Sequence, residues 1–400
     1  MAKALLLENV HPVSAQLLER AGFEVTALAG ALDEADLIEA LDGVAILGIR
    51  SKTSVTKKVL TARPDLAAVG AYCIGTNQIA VGHASQLGVA VFNAPYSNTR
   101  SVVELAVAEI IALTRRMTER DQSLHGGVWG KSAKGSHEVR GRTLGIVGYG
   151  AIGSQLSVLA EMLGMSVVFY DIAEKLTLGN AQRLDSMDEL LEVADVVSVH
   201  VDGRTSNTGL FGAEQFAAMR QGSVFINLSR GHVVDLGALR TAIESGHVAG
   251  AAVDVFPSEP KATGDPFASE LQGLPNVILT PHVGGSTEEA QVSIGRFVSG
   301  KLRDFLASGA TGMSVNFPNL HLDRSDGAVG RLVHIHQNIP GVLASINQAM
   351  AEHNLNIVGQ VLGTRNEVGY VLTDVGSPID PGVLATLANR PETIRLRVLD

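Results

Sequence analysis

The chain has 400 residues, 46% of them hydrophobic and 18% charged, which is too long for one ordinary core and predicts two or three domains. A formal net charge of −10 argues against a nucleic-acid partner, which needs clustered basic residues, and the single cysteine, Cys73, rules out an intramolecular disulfide framework and fits a reducing compartment. No apolar stretch approaches the ~20 residues that cross a bilayer, and the run Ala4-Leu5-Leu6-Leu7 stops too soon for a signal peptide, so a cytoplasmic protein with no membrane partner is expected.

In chain order, Ala4–Leu7, Val44–Ile49, Ala67–Gly70 and Val89–Asn93 read as strands, with Leu17–Ala21, Glu34–Leu41 and Ile79–Leu87 as helices between them. Such alternation predicts a parallel sheet with helices on its faces. A long apolar-periodic helix, Thr99–Arg116, then carries the chain into a second βα series. Its strands are Leu144–Val147, Ser166–Tyr170, Asp195–Val201, Ser223–Leu228, Ala249–Val255 and Asn276–Leu279, six in a doubly wound order. A helix over Thr287–Ala307 is long enough to lead back to the first domain. Ser308–Gly330, rich in Gly, Asn, Ser and Asp, reads as a linker. The remainder alternates as β-α-β-β-α-β, a ferredoxin-like pattern: Leu332–His336, Gly341–His353, Asn356–Leu362, Gly369–Asp374, Pro381–Arg390 and Ile394–Leu399.

Leu144-Gly145-Ile146-Val147-Gly148-Tyr149-Gly150-Ala151-Ile152-Gly153 is strand, turn and helix start in one line. Gly148 permits the tight turn, Gly150 lets backbone approach a pyrophosphate, and Gly153 lets helix pack on strand. The free N–H groups and positive dipole end of the helix then face the phosphates. Asp171, closing the next strand, suits the ribose hydroxyls and repels a 2′-phosphate, so NAD is the expected cofactor.

Ligands in such sheets bind beyond the carboxyl ends of the strands. Polar residues stand at three of those ends: Arg230 after Ser223–Leu228, Glu259 after Ala249–Val255, and His282 after Asn276–Leu279. Together they suit oxidation of a 2-hydroxy acid. His282 can take the hydroxyl proton, Glu259 can fix its tautomer and stabilise the imidazolium, and Arg230 can bind the carboxylate and polarise the developing carbonyl. No metal is required.

These residues carry a resemblance. The succession Gly148-x-Gly150-x-x-Gly153, Asn227-Leu228-Ser229-Arg230-Gly231, Asp254-Val255-Phe256 and Pro281-His282-Val283-Gly284-Gly285 resembles the D-2-hydroxyacid dehydrogenases. The resemblance extends over nearly the whole chain, through Tyr72-Cys73-Ile74-Gly75-Thr76-Asn77, the stretch Phe92–Val102 and Asn316-Phe317-Pro318. It implies an α/β protein of three parts. These are a discontinuous flavodoxin-like substrate-binding domain (1–97 and 285–322), a Rossmann-type doubly wound NAD domain (98–284) and a ferredoxin-like ACT domain that senses an amino acid (328–400). The implied activity is that of the ACT-carrying branch: NAD-dependent oxidation of D-3-phosphoglycerate to 3-phosphohydroxypyruvate, the first step of L-serine synthesis. Feedback inhibition by L-serine and reduction of 2-oxoglutarate are implied with it. A different D-2-hydroxy acid (glycerate, lactate or erythronate 4-phosphate) stays open as substrate. So does an NAD-sensing, corepressor-like role, against which the intact Arg230, Glu259 and His282 set argues.

Residue by residue, the resemblance makes Arg230, Glu259 and His282 catalytic. It lays Ala151, Ile152, Asp171, Leu228, Ser229, Arg230, Asp254, His282, Val283, Gly284 and Gly285 along NAD, beside the three glycines. Arg50 and Ser51 would bind the substrate's anionic end, with Asn98 and Lys131 as further substrate contacts. A homotetramer is implied, with Trp129 and Lys131 near the neighbouring subunit's site and a second interface between ACT domains. His336, Asn338 and Asn356 would contact serine between two paired ACT domains, amides being able to donate to its carboxylate and accept from its ammonium. Ile339 departs from the pattern, standing where close bacterial relatives often carry Arg.

Overall fold

The computed structural model of the chain describes residues 2–260 and 264–399. They form two compact units, one running to Ser97 and resuming at Gln291, the other Asn98–Ala290.

The first unit opens with β1 (Lys3–Leu6), α1 (Val13–Arg20), β2 (Glu24–Ala27), α2 (Glu34–Ala40), β3 (Val44–Ile49), α3 (Lys57–Ala62), β4 (Ala68–Ala71), α4 (Val81–Gln86) and β5 (Ala90–Phe92). The strands pair in parallel in the order β2-β1-β3-β4-β5, the flavodoxin-like arrangement. Strand β2 escapes sequence reading because it is an edge strand with a mostly exposed Glu24-Val25-Thr26-Ala27 and no apolar run. Helix α1 begins a turn before the predicted Leu17, since Pro12 (φ −55°) already holds helical backbone. Helices α2 and α3 start where Asp33 accepts from Ala35 N and Asp36 N, and Thr56 from Val59 N.

The second unit contains α5 (Thr99–Thr114), α6 (Met117–His125), β6 (Thr143–Val147), α7 (Ala151–Met162), β7 (Ser166–Tyr170), β8 (Gln182–Arg183), α8 (Met187–Val193), β9 (Val196–Val199), α9 (Ala213–Ala218), β10 (Ser223–Asn227), α10 (Leu236–Glu244), β11 (Val248–Val253) and β12 (Val277–Leu279). Among the described residues its sheet has seven strands, not the six expected, ordered β12-β11-β10-β9-β6-β7-β8. The extra one, β8, is a two-residue exposed edge with no apolar signal. The order reverses between β6 and β9, and that switch point opens a crevice at the strands' carboxyl ends.

Helix α11 (Glu288–Ser308) leads the chain back, and its Val298, Leu302 and Phe305 enter the first unit's core with Leu6, Ala68 and Phe92. The predicted linker over Ser308–Gly330 is in part packed structure. Val315 N donates to Val91 O at 2.8 Å, the Asn316 amide bonds Val91 N and Val89 O at 2.9 and 2.8 Å, and Phe317 is fully buried. Side-chain amides here take the place of a strand ladder, so the segment seals β5 without any strand-like periodicity.

The chain closes with β13 (Gly330–Gln337), α12 (Val342–Glu352), β14 (Ile357–Arg365), β15 (Val368–Val375), α13 (Pro381–Ala388) and β16 (Thr393–Leu399). The antiparallel order β14-β15-β13-β16 is ferredoxin-like. One face packs on α12 and α13 through Leu332, Val371, Ile346 and Leu387. The other face, with Val333, Ile335, Tyr370 and Leu372, joins the core of the first unit. It also caps α11, whose final carbonyls have no intrahelical donors: Arg397 donates to Leu306 O (3.0 Å), Arg331 to Ser308 O (3.0 Å), and Tyr370 OH to Gly309 O (2.8 Å).

Candidate active site

The glycine turn after β6 shows what each glycine is for. Gly148 has φ 95°, and a Cβ there would lie 2.7 Å from His200 O. A Cβ on Gly153 would overlap the Gly148 carbonyl oxygen, so α7 and β6 could not approach as they do. Gly150, the N-cap of α7, faces open space and carries no side-chain cap, leaving the first amides of the helix to a ligand. These features fit a dinucleotide pyrophosphate.

Asp171, just past β7, accepts from Tyr149 N (2.8 Å) and Ala173 N (2.9 Å), which ties it to the glycine turn. It lines a cavity of about 310 Å³ with Gly148, Gly150, Lys175, Asp202 and Arg204. His200 to Arg204 were not singled out in the sequence because the predicted strand ran to Val201, whereas β9 ends at Val199 and releases them to the crevice. The mixed charge predicts a cofactor switch. Asp171→Ala removes an acceptor while leaving Lys175 and Arg204 in the same cavity. A hydrogen bond to a charged group is worth about 1.5–3 kcal/mol, so the preference for NAD over NADP should fall by roughly 10- to 100-fold in kcat/KM. An unchanged ratio would show that Asp171 does not read the ribose.

Three strand ends supply the remaining groups. After β10, Asn227 shapes the turn: its Oδ1 accepts from Ser229 N and Oγ at 3.0 and 2.7 Å, and its Nδ2 donates to Arg230 O at 3.2 Å. A Cβ on Gly231 would overlap the Phe256 carbonyl, so only glycine lets this turn lie against the loop after β11. In that loop Phe256 N donates to Glu259 Oε1 at 3.1 Å. Glu259 Oε2 meets His282 Nδ1 at 2.9 Å, and no hydrogen bond occupies His282 Nε2 among the described residues. The Glu259 hydrogen bond holds the His282 imidazolium above the usual histidine range, outweighing burial. For Glu259, burial works upward but the bonds from His282 and Phe256 N bring it below the usual carboxylate range. The Arg230 charge acts on both groups.

His282 sits in left-handed backbone (φ 54°), a conformation a non-glycine residue holds only when its surroundings fix it. Asp254 fixes it. This buried residue accepts through its carbonyl from His282 N (2.8 Å), and through its carboxylate from Thr280 Oγ1 (2.6 Å), Val283 N (2.8 Å) and Gly284 N (2.8 Å). Its contacts are thus to the histidine loop. Below it lies Glu109 of α5, buried, with neither carboxyl oxygen hydrogen-bonded among the described residues, and pushed up to about 8, by burial first and then by the Asp254 charge. Glu109 was missed because its spacing is that of the helix's buried face.

Among the expected substrate contacts, Asn98 is brought to this loop, its amide packed against Gly285. Lys131 lies elsewhere on the unit, lining a surface pocket with Trp129, which is 79% exposed, and Arg116. Arg50 and Ser51 stand just past β3 in the first unit, at the carboxyl end of that parallel sheet. The effector residues do not meet within one chain. His336, buried near the end of β13, pairs with Gly369, and exposed Asn338 follows it. Asn356 bonds Gly376 N beside Val375, which pairs with Gly330. At 3.3 Å per strand residue the two ends are about 20 Å apart.

Residues 107–284 match the family "D-isomer specific 2-hydroxyacid dehydrogenase, NAD binding domain", and residues 332–388 match "AHAS small subunit-like ACT domain". The chain is 48% identical over 398 residues to a D-3-phosphoglycerate dehydrogenase of Haemophilus influenzae, covering 99% of this chain and 97% of that protein. It is 47% identical over 400 residues to one of Escherichia coli, with the same coverage. Among solved structures, NAD-dependent formate dehydrogenase from Staphylococcus aureus in complex with NAD aligns at TM-score 0.65 and 25% identity, over 76% of this chain and 95% of that one. D-Lactate dehydrogenase from Aquifex aeolicus, complexed with NAD and lactic acid, shares the fold at TM-score 0.67 and 23% identity, over 79% of this chain and 100% of that one.

Proposed function

This chain belongs to the D-3-phosphoglycerate dehydrogenase family of D-isomer-specific 2-hydroxyacid dehydrogenases, and from that premise we propose that His282, Glu259 and Arg230 carry its chemistry. It is an NAD-dependent oxidoreductase that oxidises D-3-phosphoglycerate. The observation that supports the assignment of roles best is the His282–Glu259 pair, 2.9 Å apart at Nδ1 with Nε2 left for substrate. Arg230 binds the C1 carboxylate and draws electron density from the C2 oxygen. His282 Nε2 takes the C2 hydroxyl proton, and Glu259 stabilises the imidazolium that results. NAD, when bound, takes up the hydride from C2. Gly148, Gly150, Ala151, Ile152 and Gly153 hold its pyrophosphate, Asp171 its ribose, and Leu228, Ser229, Arg230 and the 282–285 loop line its path. Asp254 supports that path chiefly by holding the loop.

Arg50 and Ser51 hold the substrate's anionic end, with Asn98 and Lys131 as further contacts. The working domains are 1–97 with 285–322 for substrate, 98–284 for NAD and 328–400 for effector. The protein is a cytoplasmic homotetramer, with one interface at the exposed Leu124, Val128 and Trp129 and another between ACT domains; a patch of large exposed apolar side chains is what such an interface needs. His336 and Asn338 of one ACT domain face Asn356 of the next, a pairing that accounts for their separation within a chain. L-Serine bound there inhibits through a coupling of ~1–3 kcal/mol.

Steady-state assays test this. With NAD, D-3-phosphoglycerate should be turned over in preference to D-glycerate, D-lactate and erythronate 4-phosphate, and L-serine should lower the rate about 5-fold or more. With NADH, 2-oxoglutarate should be reduced. Preference for another acid would overturn the substrate assignment, and indifference to millimolar serine would remove the feedback reading alone.

A further inference from the structure

The segment Arg50-Ser51-Lys52-Thr53 leaves β3 as an irregular bend, yet its backbone is held from both flanks by residues distant in sequence. On one side Glu8 reaches across from the end of β1. Its Oε2 accepts from Lys52 N at 2.9 Å and its Oε1 from Thr53 N at 2.8 Å. On the other side Gln78 Nε2 donates to Arg50 O at 2.5 Å. The two strands that bring Glu8 and the bend together are neighbours, with Leu6 paired to Gly48 and Leu7 N donating to Gly48 O at 2.9 Å.

Glu8 is itself placed with care. It is 8% exposed and sits in left-handed backbone (φ 63°), followed by Asn9 in the same region (φ 53°). Glu8 N is anchored to Gly30 O at 3.1 Å. A buried carboxylate gives up its hydration, and hydrogen bonds to both oxygens take its place. The side chain is therefore committed to the two amides and offers little to a ligand. Across the bend the opposite holds: Ser51 is exposed, and the half-buried Arg50 guanidinium makes no hydrogen bond or ion pair among the described residues. A fixed backbone carrying an unengaged cation and hydroxyl is what preorganised anion binding requires.

We propose that Glu8 is a positioning residue for the reaction, holding the 50–53 bend so that Arg50 and Ser51 meet the substrate's anionic end in a fixed geometry. The proposal rests on the assignment of Arg50 and Ser51 to substrate binding. Glu8 never touches substrate, and it acts through the two amides. A glutamine does not reproduce the clamp: each carboxylate oxygen takes one amide, so with the glutamine oxygen on one N–H its NH2 would face the other, donor against donor.

The test is a double-mutant cycle in the full-length enzyme with Glu8→Gln, Arg50→Ala and both together, reading KM for D-3-phosphoglycerate, kcat, the NADH dissociation constant and Tm. Glu8→Gln should raise KM on the order of tenfold, with kcat within about twofold and NADH binding unchanged. Arg50→Ala should raise KM at least as much, and adding Glu8→Gln to it should raise KM little further. Fully additive effects, or an unchanged KM in Glu8→Gln while Arg50→Ala is impaired, would overturn the role of Glu8 and leave Arg50 in place. An unchanged KM in Arg50→Ala would overturn the substrate assignment and the proposal with it. If Glu8→Gln loses its cooperative thermal transition, Glu8→Asp decides on the same criteria. It keeps the charge but falls one methylene short of the amides, so an intermediate KM is expected.

Discussion

Replacing His282 with Ala should lower turnover of D-3-phosphoglycerate by ~10²–10⁴-fold, the usual worth of a general acid–base group. NADH binding should change little, because the glycine turn and Asp171 are distant in the chain and built independently of the imidazole. The pH profile sharpens the test. Oxidation needs neutral His282 to accept a proton, so the rate should rise with pH through the folded-state value. That value lies above the ordinary one because Glu259 bonds the charged ring. Glu259→Gln keeps a hydrogen-bond partner but removes the charge, so the acidic limb should move to lower pH while the maximum rate falls. The pair's contribution to stability has the matching sign: it is complete between the ordinary carboxylate and ordinary histidine ranges, is lost as pH rises through the raised His282 value, and is lost on the acid side as pH falls through the lowered Glu259 value. Near-full turnover in His282→Ala, or an acidic limb that does not move in Glu259→Gln, would remove His282 from the role of proton carrier.

The features most legible in the sequence make local demands. The run from Leu144 to Gly153 spells a strand, a turn and a helix start within one window; Gly153 answers to Gly148 a few residues away, Gly148 to the neighbouring strand end at His200, and Gly150 leaves open space for a ligand. Arg230, Glu259 and His282 could be picked out because a parallel sheet gathers its strands' carboxyl ends on one edge, so strand ends alone bring remote residues together. The ferredoxin-like order at the C-terminus is legible for a similar reason: its strands are long and its helices amphipathic.

What escaped depends on partners that periodicity does not encode. Strands β2 and β8 are exposed edges, where side chains have no buried face to alternate against. The 308–330 stretch has the composition of a loop, yet Asn316 and Phe317 dock it through side-chain hydrogen bonds and one aromatic anchor. Glu109 lies beneath the histidine loop, and nothing in its own neighbourhood tells that apart from ordinary burial. Glu8 is the extreme case, since its partners are backbone amides 44 and 45 residues away, groups that every residue but proline possesses. The separation of His336 and Asn338 from Asn356 along one sheet likewise appears only once strand register is known.

Arg230→Lys should be nearly as damaging as Arg230→Ala, although it preserves the charge. The guanidinium has five donors in a rigid plane, enough to bond a carboxylate and still reach the C2 oxygen, whereas an ammonium is a point charge on a flexible stem. The surroundings of Arg230 are built for that plane. Asn227 holds its carbonyl, Nη1 donates to Ser229 O at 2.6 Å, and its side chain lies along Gly203, where a Cβ would come within 3.3 Å of Arg230 Cγ. A lysine in this slot gives up the bond to Ser229 O and one of its two substrate contacts. Losing a donor aimed at developing charge costs about 10²–10³-fold, so kcat/KM for D-3-phosphoglycerate should fall by that factor in Arg230→Lys and further in Arg230→Ala. Both kcat and KM should be affected, because the same side chain binds the carboxylate in the ground state and polarises the carbonyl in the transition state. A lysine variant within a few-fold of the parent enzyme would mean that Arg230 contributes charge alone. The fork geometry assigned to it here would then be wrong.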